Sequence, residues 1–271
     1  MVRKLFKHEI LAFGRLMLPV LCAVLGVGVL TRMIQLFATD SVTYGIVESS
    51  SFIALVIAII ASVFLALIFG VVRYYKNLFT CEGYLTFTLP VTTAQHIWVK
   101  AVVSVLFMTI AVIASVAALV IAFLGKDLAD IWHVITYVWN DMVKNDIHMV
   151  HIVIYMIEAV IFFIAYAFMM YFLYYSCITI GQMAKRNRVM AAVGVYFLYY
   201  VITQILSTIM IILLTLYGHL IPMDKITLFV EKNTYLCGHL LFIGMTVLCA
   251  IMTLIYYMIC HTIIRKKLNL E

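Results

Sequence analysis

Residues 52–72 read FIALVIAIIASVFLALIFGVV, a run with no charge and no proline. Crossing a hydrocarbon core roughly 30 Å thick takes about 20 apolar residues, and a helix is the single-segment structure that satisfies its own backbone groups there. The run meets that length. Moving outward, five more stretches of the same kind occur at 16–38, 101–124, 151–183, 189–217 and 236–264. The chain therefore reads as all-α, a polytopic membrane protein with six transmembrane helices. Composition agrees: 66% of the 271 residues are hydrophobic and 11% are charged, against about 25% charged in a soluble domain, which excludes a water-soluble fold.

The formal charge of +6 is informative through its placement. Arg3, Lys4, Lys7, Arg15, Arg73, Lys76, Lys100, Lys185, Arg186, Arg188, Arg265, Lys266 and Lys267 fall on the side shared by both termini, thirteen against the five of Arg32, Lys126, Lys144, Lys225 and Lys232. By the positive-inside rule both termini are expected in the cytoplasm of a cell membrane, and the basic excess needs no nucleic-acid partner. Behind the first apolar stretch no Ala-x-Ala cleavage pattern follows, so that span is expected to be retained. The fourth run would measure about 50 Å as one helix and must tilt or project. The six cysteines are scattered through apolar runs and read as small apolar residues. No internal repeat is apparent, and the whole chain, 1–271, is expected to form one transmembrane domain.

Within residues 1–15, Val2, Phe6, Ile10 and Phe13 share one side of a helix and Arg3, Lys4, Lys7 and His8 the other. That pattern predicts an amphipathic helix in the membrane interface, distinct from the span that follows it. Residues 73–100, RYYKNLFTCEGYLTFTLPVTTAQHIWVK, are too polar to span and far longer than the roughly two to eight residues of a usual helix connection. Thr92 followed by Gln95 is a capping-box pattern, and Pro90 cannot sit inside a helix, so a helix is expected to start near Thr93. Glu82-Gly83 breaks the chain ahead of a short amphipathic piece with Leu85, Phe87 and Leu89. The expected result is a compact cytoplasmic knob presented by two long helices. The external segments are expected at 125–150, where a docked helix over 127–143 is possible, and at 218–235.

The run E-G-x-L-x-x-x-L-P-V (82–91) resembles the loop between spans two and three of ABC-2-type exporter permeases, the transmembrane subunits of bacterial ABC transporters. The likeness extends to the N-terminal helix, the six spans and the long connection between spans five and six. It implies a coupling helix docking on a separate ATPase, with Glu82, Gly83, Leu85, Leu89, Pro90, Val91 and Lys100 at the coupling positions. It further implies export of an amphipathic or hydrophobic cargo (a peptide, including antimicrobial or toxin peptides, a lipid or a drug) by two paired permeases, either a homodimer or a heterodimer.

The chain has no G-x-x-x-x-G-K-[ST] loop, no H-E-x-x-H and no G-x-S-x-G. No catalytic residue is expected, and ATP with Mg belongs to the partner. His148, His151 and Asp146 are read as interfacial polar residues, with no metal ligand assigned. Arg32 and Glu158, at similar depth in the outer leaflet, are a candidate intramembrane pair; otherwise Arg32 snorkels and Glu158 faces a wet vestibule. Aromatic and methionine side chains crowd spans four and five. Tyr166, Met169, Met170 and Gln204 are the candidate cargo-facing residues, with helix packing and lipid contact the simpler role. Two other functions stay open: a gradient-driven carrier or channel using Glu158, and a non-transporting membrane scaffold.

Overall fold

The computed structural model describes residues 2–37, 42–80, 83, 91–124, 132–134, 136, 137, 140, 149–184, 187–218 and 223–267. Among these, the chief elements are α1 (Val2–Leu36), α2 (Val42–Phe79), α3 (Thr93–Ala122), α4 (Met149–Gly181), α5 (Arg188–Tyr217), α6 (Met223–Lys232) and α7 (Thr234–Lys267). No strand occurs among the described residues. All but α6 are long and apolar enough to cross a membrane, and the chain is a multi-pass membrane protein. The run at 52–72 lies inside α2, whose 38 residues extend about 57 Å and so carry the helix through its polar flanks.

One expected boundary is missing. The change of character at residue 15 marks no break, because α1 runs unbroken across it. Nothing in residues 10–18 (ILAFGRLML) stops a helix, and Pro19 is accommodated inside α1. Pro19 has no N–H to give the carbonyl one turn back, a loss that membrane helices tolerate with help from neighbours. The apolar side of residues 2–13 packs on protein: Phe13 is buried and stacks on Phe107 of α3 with ring centroids 4.7 Å apart, while Leu5, Phe6 and Ile10 lie against the same cluster. Arg3, Lys4, Lys7 and His8 are exposed.

The capping box forms as expected. Thr92 Oγ1 accepts from the Gln95 N–H at 3.3 Å and Gln95 Oε1 accepts from the Thr92 N–H at 3.1 Å, starting α3 at Thr93. In the segment at 125–150, the described residues Trp132, His133, Val134, Thr136, Tyr137 and Asn140 are helical, and Trp132 and Tyr137 are exposed. The segment at 218–235 contains α6, an element that sequence patterning does not single out.

The chain divides into two compact units. Unit 1 comprises Met1–Asn77 and Leu85–Met149, and unit 2 comprises Leu78–Tyr84 and Val150–Glu271. In unit 1, α1 buries the stripe Glu9, Phe13, Met17, Val24, Gly28 and Thr31, at the three-, four- and seven-residue spacing that keeps one face of a helix together. It packs along α3, whose facing residues become small toward its C-terminal half: Ala111, Ser115, Ala118 and Ala122 are all buried. A Cβ at Gly28 would lie 2.8 Å from the Ala118 carbonyl oxygen. In lipid, where apolar burial between helices gains little, such close backbone approach supplies the packing energy. Ser62 of α2 and Ser115 of α3 share a buried hydroxyl–hydroxyl bond of 3.1 Å.

In unit 2 the buried residues of α4 include Ala167, Tyr171, Phe172, Tyr175 and Cys177, and those of α7 include Cys249, Thr253, Tyr256 and Cys260. The aromatic crowding foreseen for span four thus serves largely as packing: Phe172 meets Tyr257 edge-on and Tyr174 stacks on Tyr196. By contrast, α5 buries no residue. Its tether to α7 is polar, with the Tyr256 hydroxyl donating to the Tyr199 hydroxyl at 2.9 Å. At the turn between α4 and α5, Asn187 takes a left-handed φ of 55°, a conformation that asparagine tolerates better than most residues.

Candidate functional site

Two polar centres stand out against this apolar background. The first lies in unit 1, at the end of the bundle where the 81–90 connection leaves α2 and enters α3. Glu9 of α1 accepts from Arg73 Nε of α2 at 3.0 Å and from Lys100 Nζ of α3 at 3.3 and 3.4 Å. The side chains are 8%, 16% and 6% exposed respectively. One carboxylate thus clasps three helices. Taking charges out of water costs several kcal/mol for each ion, so Lys100 and Arg73 are tolerated at this depth because Glu9 answers both.

Lys100, expected at a coupling position, is therefore occupied within unit 1. Of the other residues at those positions, Gly83 is buried and its N–H donates to the Thr80 carbonyl at 2.7 Å, and Val91 is half-buried. Glu82, Leu85, Leu89 and Pro90 lie outside the described residues.

The second centre lies in unit 2, between α4 and α7. His239 Nδ1 stands 3.0 and 2.9 Å from the two carboxylate oxygens of Glu158, and His239 Nε2 stands 3.0 Å from His151 Nδ1. The three side chains form one continuous hydrogen-bonded chain. Tyr155 holds it in place from the side: its ring stacks on His239 with centroids 4.3 Å apart, and its hydroxyl donates to the Tyr235 carbonyl at 2.9 Å. The Tyr235 ring lies parallel to His151 at 4.5 Å. Gly238 leaves room for Tyr155, since a Cβ there would collide with its hydroxyl. Both histidines line a cavity of about 420 Å³ together with Lys232, Asn233 and Tyr235.

The chain matches no known family model, no curated protein and no solved structure. Its chemistry has to be read from these two centres.

Arg32 and Glu158, the candidate intramembrane pair, each have a partner within their own unit. Arg32 donates to Gln35 at 3.0 Å, one turn away on α1, while Glu158 is engaged by His239. Tyr166 is exposed, Met169 and Met170 are half-buried, and Gln204 is exposed on α5. His148 and Asp146 lie outside the described residues, whereas His151 belongs to the second centre. Among the described residues no three His, Cys, Asp or Glu side chains are arranged so that they could hold a metal ion.

Sequence reasoning missed Glu9, His239 and Tyr155. A signal existed for two of them. Glu9, Glu82 and Glu271 are the acids set among the basic clusters on the side shared by the termini, and His239 is an ionisable group inside the last apolar run, a position costly enough to imply a partner.

Proposed function

We propose that this chain is the permease subunit of an ATP-driven exporter of the ABC-2 type, sited in the plasma membrane with both termini in the cytoplasm. It carries out no catalysis itself. A separate cytoplasmic ATPase, holding ATP and Mg, docks on the connection between α2 and α3, and two permease subunits pair to move an amphipathic or hydrophobic cargo outward. Peptides are the favoured cargo class.

The observation that carries this reading is the Glu9 clasp. A docking loop transmits motion only if the helices behind it move together, and α1, α2 and α3 are tied by one buried carboxylate at the end where that loop emerges. Force applied at residues 81–90 is then delivered to three helices as a body. The capping box at Thr92 gives α3 a firm start close to the point of attachment. The thirteen-to-five distribution of basic residues supports the cytoplasmic placement of this end.

The test is co-purification from native membranes. An ATPase with a phosphate-binding loop should accompany the wild-type chain and be lost when residues 82–91 are replaced by a Gly-Ser linker. Glu9→Gln should keep the ATPase bound while uncoupling its hydrolysis from cargo. Cargo transport by the purified chain alone in liposomes would sink the proposal.

A further inference from the structure

The α5 helix is held on one side and open on the other. Its half-buried residues Arg188, Ala191, Ala192, Val195, Tyr199 and Thr203 recur at three- and four-residue spacing, so they share the face that packs within unit 2. On that face Tyr199 bonds to Tyr256, and the Ala192 backbone lies close against Gly181. Gln204 comes nine residues after Val195, roughly two and a half turns, which carries it to the opposite side of the helix. From Gln204 to Tyr217 every residue is exposed.

That open side is not purely apolar. Gln204 stands about 24 Å from one end of α5 and about 20 Å from the other, near the middle of the membrane core. The serine and threonine hydroxyls of the helix are satisfied within it: Thr203, Ser207, Thr208 and Thr215 donate to carbonyls three or four residues back. The Gln204 amide has no such outlet, and among the described residues it makes no hydrogen bond. Its two N–H donors and its carbonyl face a medium without water, a cost that membrane helices relieve by bonding to one another.

We propose that α5 is the seam between two copies of this chain, with the Gln204 amides of the two copies bonded to each other at its centre. The choice of occupant follows from symmetry. Copies of one chain enter the membrane the same way round, so two α5 helices meet in parallel, and a two-fold axis along the membrane normal sets each residue of the seam opposite itself. A side chain at the crossing must therefore complement its own copy. A charged side chain would repel its copy there and a leucine would gain no bond, whereas a primary amide donates through nitrogen and accepts through oxygen, so two of them close a pair of N–H···O bonds. One polar residue in an apolar seam also fixes register, as a single asparagine does in coiled coils. The pairing rests on the exporter reading for its purpose, two permeases acting together, but it is measured with no ATPase or cargo present, so the two can fail separately.

The experiment oxidises native membranes holding the full chain with Gln204→Cys, using copper phenanthroline, beside the wild type as the control for its six native cysteines. A disulfide needs Cα atoms about 4.4–6.8 Å apart, so it reports direct opposition. A product of twice the chain's mass should form with Gln204→Cys, and should not exceed the wild-type level with Ile202→Cys, an exposed position roughly 160° round the helix. Energy transfer between differently labelled copies in liposomes, read as lipid is added, gives the strength of the dimer. Gln204→Leu should weaken it about tenfold without lowering the thermal stability of the single chain, and Gln204→Asn, which keeps the amide, should hold it more tightly than Gln204→Leu does. Four results would overturn the proposal: a Gln204→Cys chain that stays at single mass, a product with a different protein in place of the second copy, equal dimer formation from positions 202 and 204, or a Gln204→Leu dimer as tight as the wild type. The energy-transfer measurement needs no introduced cysteine at the seam, so a cysteine variant that fails to fold leaves the test intact.

Discussion

Glu9 and Glu158 are the same side chain with different partners. Glu9 faces two permanent cations and is 8% exposed; Glu158 faces an imidazole backed by a second imidazole and is 15% exposed. A carboxylate answered by arginine and lysine is held in one charge state, and its work is mechanical. One answered by histidine meets a partner that is a cation only when protonated, so its pairing is not fixed in charge. Burial alone does not separate the two. The chemistry of the partner does.

The comparison can be broken in order of expected effect. Glu9→Ala leaves Arg73 and Lys100 buried without their carboxylate and should cost about 3–5 kcal/mol, the usual range for removing one partner of a buried pair; thermal unfolding in detergent reads it. If that variant unfolds like the wild type, Glu9 is no clasp. Gly28→Val should cost about 1–3 kcal/mol in the same assay, because the added atoms meet Ala118 and must part α1 from α3. Glu158→Gln should lower stability at neutral pH by about 1 kcal/mol in the same assay, the difference between a hydrogen bond to a charged group and one to a neutral amide. Equal destabilisation by Glu9→Ala and Glu158→Gln would erase the distinction between the two carboxylates. Ser115→Ala sets the floor: its bond to Ser62 is neutral on both sides, and about 0.6 kcal/mol is typical of such contacts between membrane helices.

What could be read from the sequence was local. Apolar runs of spanning length set the six long helices, and the Thr92–Gln95 box set the start of α3, because each depends on residues within a few positions of one another. Glu158 announced itself as an ionisable group in an apolar run. Its partner did not, since His239 lies 81 residues away and only the packing of α4 against α7 joins them. The break expected at residue 15 failed for a related reason. A change from charged to apolar residues reports the depth of the chain in the membrane, and a helix can pass through that boundary unaltered. The Glu9 contacts to Arg73 and Lys100, 64 and 91 residues distant, were beyond any local pattern.

The reciprocal cap at Thr92 and Gln95 fixes where α3 starts by contacts local to the cap, without help from the loop that precedes it. A loop of different length or composition can be spliced in upstream without rotating the face that α3 turns toward α1. The junction just ahead of Thr92 is thus a graft point, where an epitope, a fluorophore site or a different loop can be exchanged while the bundle behind it keeps its alignment.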